Sequence, residues 1–270
     1  MDYQYLEIKK SGRIITVRLN RPESRNALST DLMKELHDLA LALRDDLAAS
    51  VVVLTGGEKF FTAGVDLKDP KLTQIMQQPV SVRRRLFEMG PRMCAAWEDL
   101  PQITIAAIEG FCLGGGVSLT ASLDFRIMAS DAVIRIPEIG LGMNYSWGTM
   151  ARLYALVGPA WTRKWVLMSE AASGKEAAEA GFAQWTTDSG AALQKALEIA
   201  EKIAAKPQAP VFMTKQAINA IGKMHQPPVH MDTDQFALSL LSEDFNEGIA
   251  AFFEKRKPNF NKDLPEAEEV

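Results

Sequence analysis

The sequence predicts an α/β core followed by a helical C-terminal part, and three observations carry that prediction. Short apolar runs of strand type alternate with amphipathic helical segments in the first half of the chain, glycines cluster where strands end, and from Trp147 onward the pattern is helical with short interruptions. A chain of 270 residues can bury a sizeable core. We read an α/β core over residues 1–200 and a helical C-terminal region over 201–270.

The elements follow in order. The opening MDYQYLEIKK reads as a charged strand, and over 14–20 Ile15, Val17 and Leu19 alternate with Thr16, Arg18 and Asn20, so the chain starts as a pair of strands. After the turn RPESRN, Ser29 is placed to cap a helix in which Leu32, Leu36, Leu39 and Leu43 recur on one face. VVVLT at 51–55, bounded by Gly56 and Gly57, is a buried strand. Val82, Leu86, Met89, Met93 and Trp97 mark one helix leading through Pro101 into the strand ITIAAIE, which stops at Gly110. DFRIMAS and AVIRIP are two more strands, and the basic KRK at 255–257 is the solvated end of the last amphipathic helix.

Composition excludes several function classes. A formal net charge of −4 with 47% hydrophobic residues lacks the basic surplus that draws nucleic acid. There is no secretory leader pattern and no apolar run of membrane-spanning length, so a cytoplasmic protein with no membrane partner is expected. Cys94 and Cys112, with His37, His225 and His230, are too few and scattered for a disulfide framework or a metal site. His37 reads as a surface residue of an amphipathic helix, and His225 and His230 as parts of a solvated turn around Pro227 and Pro228.

Two strand-to-helix junctions stand out, FFTAGVDL at 60–67 and EGFCLGGGVSL at 109–119. A helix start leaves backbone N–H groups unpaired, so two such junctions facing one cavity can hold an anionic oxygen. The nucleotide-phosphate patterns GxGxxG and GxxxxGK[ST] are absent, and GGGVS lacks the GxSxG frame of a serine hydrolase.

The series RPESRNALS (21–29), FTAGVDLK (61–68), GFCLGGGVSL (110–119), DFRI (124–127), PEIGLG (137–142), GKEAAEAG (174–181) and EGIAAFFEKRKPNF (247–260) resembles the crotonase superfamily, the enoyl-CoA hydratases and isomerases. The resemblance implies a crotonase-like spiral of ββα repeats with a helical C-terminal trimerisation region, assembled as a homotrimer or homohexamer. It implies an acyl-CoA substrate, with coenzyme A entering as part of the substrate and no other cofactor.

It further implies that the amides of Val65 and Gly115 form an oxyanion hole. Arg25 is placed near the CoA phosphates and the backbone from Ala63 through Asp66 to Leu67 along the adenine end. Gly114 and Trp147 complete the expected binding set, with Asp66 engaged mainly within its own turn. Hydratases of the family use two glutamates, whereas here Ser118 stands at the first position and only Glu138, after Pro137, at the second.

Ser118 cannot take up a proton near neutral pH, which points to double-bond isomerisation by Glu138 alone, its pKa raised by burial among Ile136, Ile139 and Leu141. Hydration by a one-glutamate site, C–C cleavage or decarboxylation, and a non-catalytic CoA-binding scaffold are the alternatives. GGGVS with PE fits hydroxycinnamoyl-CoA hydratase-lyases, but Phe236 stands where those place a tyrosine. Methylmalonyl-CoA decarboxylases place a functional tyrosine at Tyr145 but lack Glu138. Tyr145 and Trp147 are otherwise expected to wall an acyl pocket suited to a bulky or branched group.

Overall fold

In a computed structural model, which describes residues 3–224, 231–260 and 262, strand β1 (Leu6–Ser11) pairs antiparallel with β2 (Ile14–Leu19). Gly12 supplies the positive φ of their tight turn. The sheet continues in parallel through β3 (Val51–Thr55), β4 (Ile103–Ile108), β6 (Phe125–Ala129) and β9 (Trp185–Thr187). A second sheet joins β5 (Phe111–Leu113), β7 (Val133–Arg135) and β8 (Ala171–Ser173). His225, His230 and the turn between them lie outside the described residues.

Successive side chains of a strand point to opposite faces, and both faces of the central sheet are covered. Val52, Leu54, Ala106 and Ile108 enter one core with α1 (Thr30–Arg44) and α4 (Met89–Glu98). Val51, Val53, Ile105 and Ala107 enter the other, against Ala192, Ala196, Ile199 and Ala200 of α8 (Ala192–Ala204). That double burial is why β3 reads as an unbroken apolar run. Helix α8 runs across the boundary expected between residues 200 and 201, and its inner face belongs to the core.

Ser29 caps α1 as expected, its Oγ accepting from Leu32 N–H at 3.2 Å, and Leu32, Leu36, Leu39 and Leu43 are buried. The helix expected across Val82–Trp97 is instead two, α3 (Val80–Phe87) and α4. Pro91 has no N–H to give the carbonyl of Phe87, and its ring crowds that carbonyl, so the helix restarts. Val82 and Leu86, expected on the buried face, are exposed. Strands β8 and β9 correct the purely helical reading beyond Trp147: at three residues each they are too short to show a period.

α6 (Thr149–Leu167) is broken where Gly158 leaves helical geometry before Pro159. The remaining elements are α2 (Pro70–Met76), α5 (Gly115–Ala121), α7 (Gly174–Glu179), α9 (Gln208–Lys223), α10 (Asp232–Ser239) and α11 (Glu243–Glu254). Buried Lys215 ties α9 to the core, donating to Gln102 O at 2.8 Å and pairing with Asp124 at 2.6 Å. Beyond α11, Arg256 of the KRK segment pairs with Glu247. No helix among the described residues is long and apolar enough to cross a membrane.

Candidate active site

The two glycine-bearing junctions meet. Thr62 forms a parallel bridge with Cys112: its N–H donates to Phe111 O at 3.2 Å and its carbonyl accepts from Leu113 N–H at 3.1 Å. Gly64, at φ 84°, comes so near that a Cβ would stand 2.8 Å from Leu113 O. A second bridge joins Leu28 to Val65, with Leu28 N–H donating to Gly64 O at 2.7 Å and Asp66 N–H to Leu28 O at 3.1 Å. Because backbone groups alternate along an extended segment, the Val65 N–H between those bonds faces away from Leu28.

Gly115 opens α5, and a first-turn N–H has no acceptor within its own helix. A Cβ on Gly115 would lie 3.3 Å from Val65 Cγ2, so the two residues are neighbours. Among the described residues neither amide donates to a protein acceptor. Two adjacent unsatisfied donors can bind an oxygen that gains negative charge.

Glu138 follows Pro137 beyond β7, and its carbonyl accepts from Leu141 and Met143 N–H, both at 2.9 Å, which fixes the turn. Its Oε1 lies 2.6 Å from where a Cβ on Gly114 would stand; Oε2 is shielded and has no hydrogen-bond partner. Burial raises its pKa to about 8. Ile136 and Leu141 are buried as expected, but Ile139 points outward at 38% exposure, so the apolar shell is less complete on that side.

Ser118 is not idle. Its hydroxyl donates to Tyr145 Oη at 3.0 Å, and the tyrosine hydroxyl donates to Gly114 O at 3.2 Å. Both side chains are buried, and burial, followed by the charge of Glu138, raises the Tyr145 pKa well above its ordinary value. Tyr145 is thus buried, with its hydroxyl engaged at the Gly114 carbonyl. Trp147 does stand at the site: its Cη2 lies 2.7 Å from a would-be Gly115 Cβ.

Of the expected CoA contacts, Arg25 is exposed and makes no ion pair with any described residue, while its carbonyl accepts from Ala63 N–H at 3.1 Å. Asp66 is engaged by protein: Arg21 Nη1 and Nη2 both lie 3.1 Å from its Oδ2, and Lys68 N–H donates to its Oδ1. Leu67 joins Leu141, Met143, Phe236 and Phe245 in an apolar cluster. His37 is half-buried beside Asp38, Cys94 and Cys112 are buried free thiols, and no group of three or more metal-ligating side chains forms among the described residues.

The family model for enoyl-CoA hydratase/isomerase matches residues 9–263. The chain belongs to the enoyl-CoA hydratase/isomerase family, within the crotonase superfamily. It is 33% identical over 263 residues to a crotonyl-CoA hydratase of Syntrophomonas wolfei, covering 96% of this chain and 99% of that protein. It is 31% identical over 256 residues to a 2,3-dehydroadipyl-CoA hydratase of Escherichia coli, covering 94% and 98%. An enoyl-CoA hydratase structure from Mycobacterium avium subsp. paratuberculosis superposes with a TM-score of 0.84 at 23% identity, over 96% of this chain and 99% of that one, which shows the fold.

Within this family member, the junctions bring Val65, Gly114, Gly115, Ser118, Glu138, Tyr145 and Trp147 together. Sequence reasoning missed Asn26, whose buried amide donates to Gly56 O at 2.9 Å and Phe61 O at 3.2 Å and so anchors the first junction. The RPESRN turn is the available signal, because asparagine tolerates the left-handed backbone seen at its φ of 53°. Asp232 and Arg152, which hold the Trp147 turn, carry no local sequence signal.

Proposed function

We propose that the amides of Val65 and Gly115 hold the carbonyl oxygen of an acyl-CoA thioester while Glu138 moves a proton, and that the reaction is isomerisation of an enoyl-CoA from β,γ to α,β. The observation that carries this reading is a single shielded carboxyl group beside Gly114, with no second carboxylate among the causes of its raised pKa. Ionised Glu138 takes a proton from C2, the C–H electron pair enters a dienolate, and the charge gathers on the oxygen at the two amides. The protonated glutamate then returns the proton to C4, leaving the double bond between C2 and C3. Arg25 meets the CoA phosphates, and the backbone of Ala63–Leu67 lies along the adenine.

Hydration is the second reading, favoured by relatives whose names are those of hydratases. There the protonated Glu138 gives its proton to C2, water adds at C3, and the proton lost by water returns to Glu138, with Ser118 and Tyr145 in the place of a second carboxylate.

The pH profile separates the two, because kcat/KM reports the protonation state needed in the free enzyme. With a pKa of about 8, Glu138 is mostly protonated at neutral pH. If it works as a base, kcat/KM for a 3-enoyl-CoA rises with pH and levels above about 8. If it works as an acid, kcat/KM for hydration of a 2-enoyl-CoA is level below about 8 and falls above it. Conversion of the 2-enoyl substrate alone, with that falling limb, would refute isomerisation as the main reaction.

A homotrimer or homohexamer fits the exposed apolar residues Met213, Ile218 and Ile221 on α9 and Phe252 and Phe253 on α11. Sedimentation equilibrium should return a multiple of three chains; a monomer refutes this assembly.

A further inference from the structure

Trp147 has a left-handed backbone, φ 66°, and Gly148 beside it another, φ 71°. A bulky side chain rarely holds that conformation unless its surroundings dictate it. Here they do. Gly148 N–H donates to Asp232 Oδ2 at 2.7 Å, and Arg152 Nη1 donates to Trp147 O at 2.8 Å. Arg152 is itself fixed by two bonds to Glu98, at 2.8 and 3.1 Å. Asp232 is buried at the start of α10, so the C-terminal region reaches back to set this turn.

The turn aims the indole between two glycines. A Cβ on Gly90 would stand 2.1 Å from Trp147 Cε2, and one on Gly115 2.7 Å from Cη2 and Cζ3. The ring therefore packs against Gly115, the residue whose N–H is proposed to face the thioester oxygen. C2 of a thioester held there would be two bonds from that oxygen, which brings the C2 end of the acyl group, and not its far end, next to Gly115 and the indole packed on it.

We infer that Trp147 is a specificity-determining residue that excludes a branch at C2 and selects straight acyl chains, and that Asp232 is the positioning residue that holds its ring there. This narrows the sequence expectation of a pocket for bulky or branched groups: a branch is barred at C2, whatever is accepted farther along. The inference rests on the acyl-CoA reading of the site but not on which reaction follows. Saturated thioesters, which neither isomerise nor hydrate, therefore test it by binding alone.

Calorimetric titration with butanoyl-CoA and 2-methylpropanoyl-CoA compares two acyl groups of the same carbon count, one branched at C2. The native chain should prefer butanoyl-CoA by about tenfold or more, the scale on which a pocket rejects one misplaced methyl group. Trp147→Ala should bring the two within about threefold of each other, and Trp147→Phe should fall between. Asp232→Ala should shift the ratio in the same direction, whereas Asp232→Asn, whose amide oxygen still accepts from Gly148, should keep the native ratio. The proposal is overturned if the native chain binds both alike, if neither Trp147 variant changes the ratio, or if Asp232→Ala weakens both equally. Failure of both thioesters to bind would overturn the acyl-CoA reading itself, and this inference with it.

Discussion

Glu138→Gln lowers kcat by about 10²- to 10⁴-fold on whichever enoyl-CoA the enzyme turns over, the range that a positioned proton-transfer group supplies. Glutamine keeps the shape of the side chain. It also keeps the charge of the predominant form, because a carboxyl group with a pKa of about 8 is mostly neutral at pH 7. Packing around Pro137 and Leu141 is therefore undisturbed, and the melting temperature should change little. The amide cannot exchange a proton with carbon, so loss of rate falls on the chemical step, while KM, set by the CoA contacts and the two backbone donors, stays close to the native value.

The variant should also lose the limb of the pH profile assigned to Glu138. Stopped assays with 3-enoyl- and 2-enoyl-CoA measure kcat, KM and the pH profile, and thermal unfolding measures the melting temperature. Full turnover by the variant would remove Glu138 from the mechanism, and a large fall in melting temperature would mean that the group is needed for the fold instead.

The outline of this fold was legible where a physical period was long enough to read. β3 and α1 show it: five buried residues in a run in one, four leucines on one face behind a serine cap in the other. β8 and β9 were not legible, since three residues carry no period and their pairing comes from partners distant in sequence. The split between α3 and α4 is signalled by Pro91, but the apolar spacing continues across it and masks a single proline.

The site divides in the same way. Val65, Gly115 and Glu138 are marked by backbone-dictated turns, and such turns show in sequence as glycine and proline. The Ser118–Tyr145 hydrogen bond is a long-range choice of partner with no local trace. It turns an apparent loss, serine for glutamate, into a buried hydroxyl pair beside Glu138. Asp232 is farther still from any pattern, because its partner is a backbone N–H more than eighty residues away.

Gly114→Ala is expected to cost about 10²-fold in kcat, through geometry and not through any lost functional group. At φ 48° and ψ −115° the residue occupies backbone space that an L side chain rarely enters, and holding alanine there destabilises the chain by about 1–3 kcal/mol. The added Cβ would also stand 2.6 Å from Glu138 Oε1, too near for any real contact, so the carboxyl group must turn away from the junction.

The same residue's carbonyl accepts the Tyr145 hydroxyl and its N–H donates to Arg135 O, so a backbone adjustment that relieves the clash disturbs the hydroxyl pair and the approach of β7 together. Three parts of the site thus hinge on one missing methyl group. Thermal unfolding and steady-state kinetics read the two effects separately, and the ratio between them is informative. If kcat falls only in proportion to the fraction of folded enzyme, Gly114 serves the backbone alone. If it falls by two orders of magnitude in fully folded protein, the close approach of Glu138 to the glycine junction is what the reaction requires.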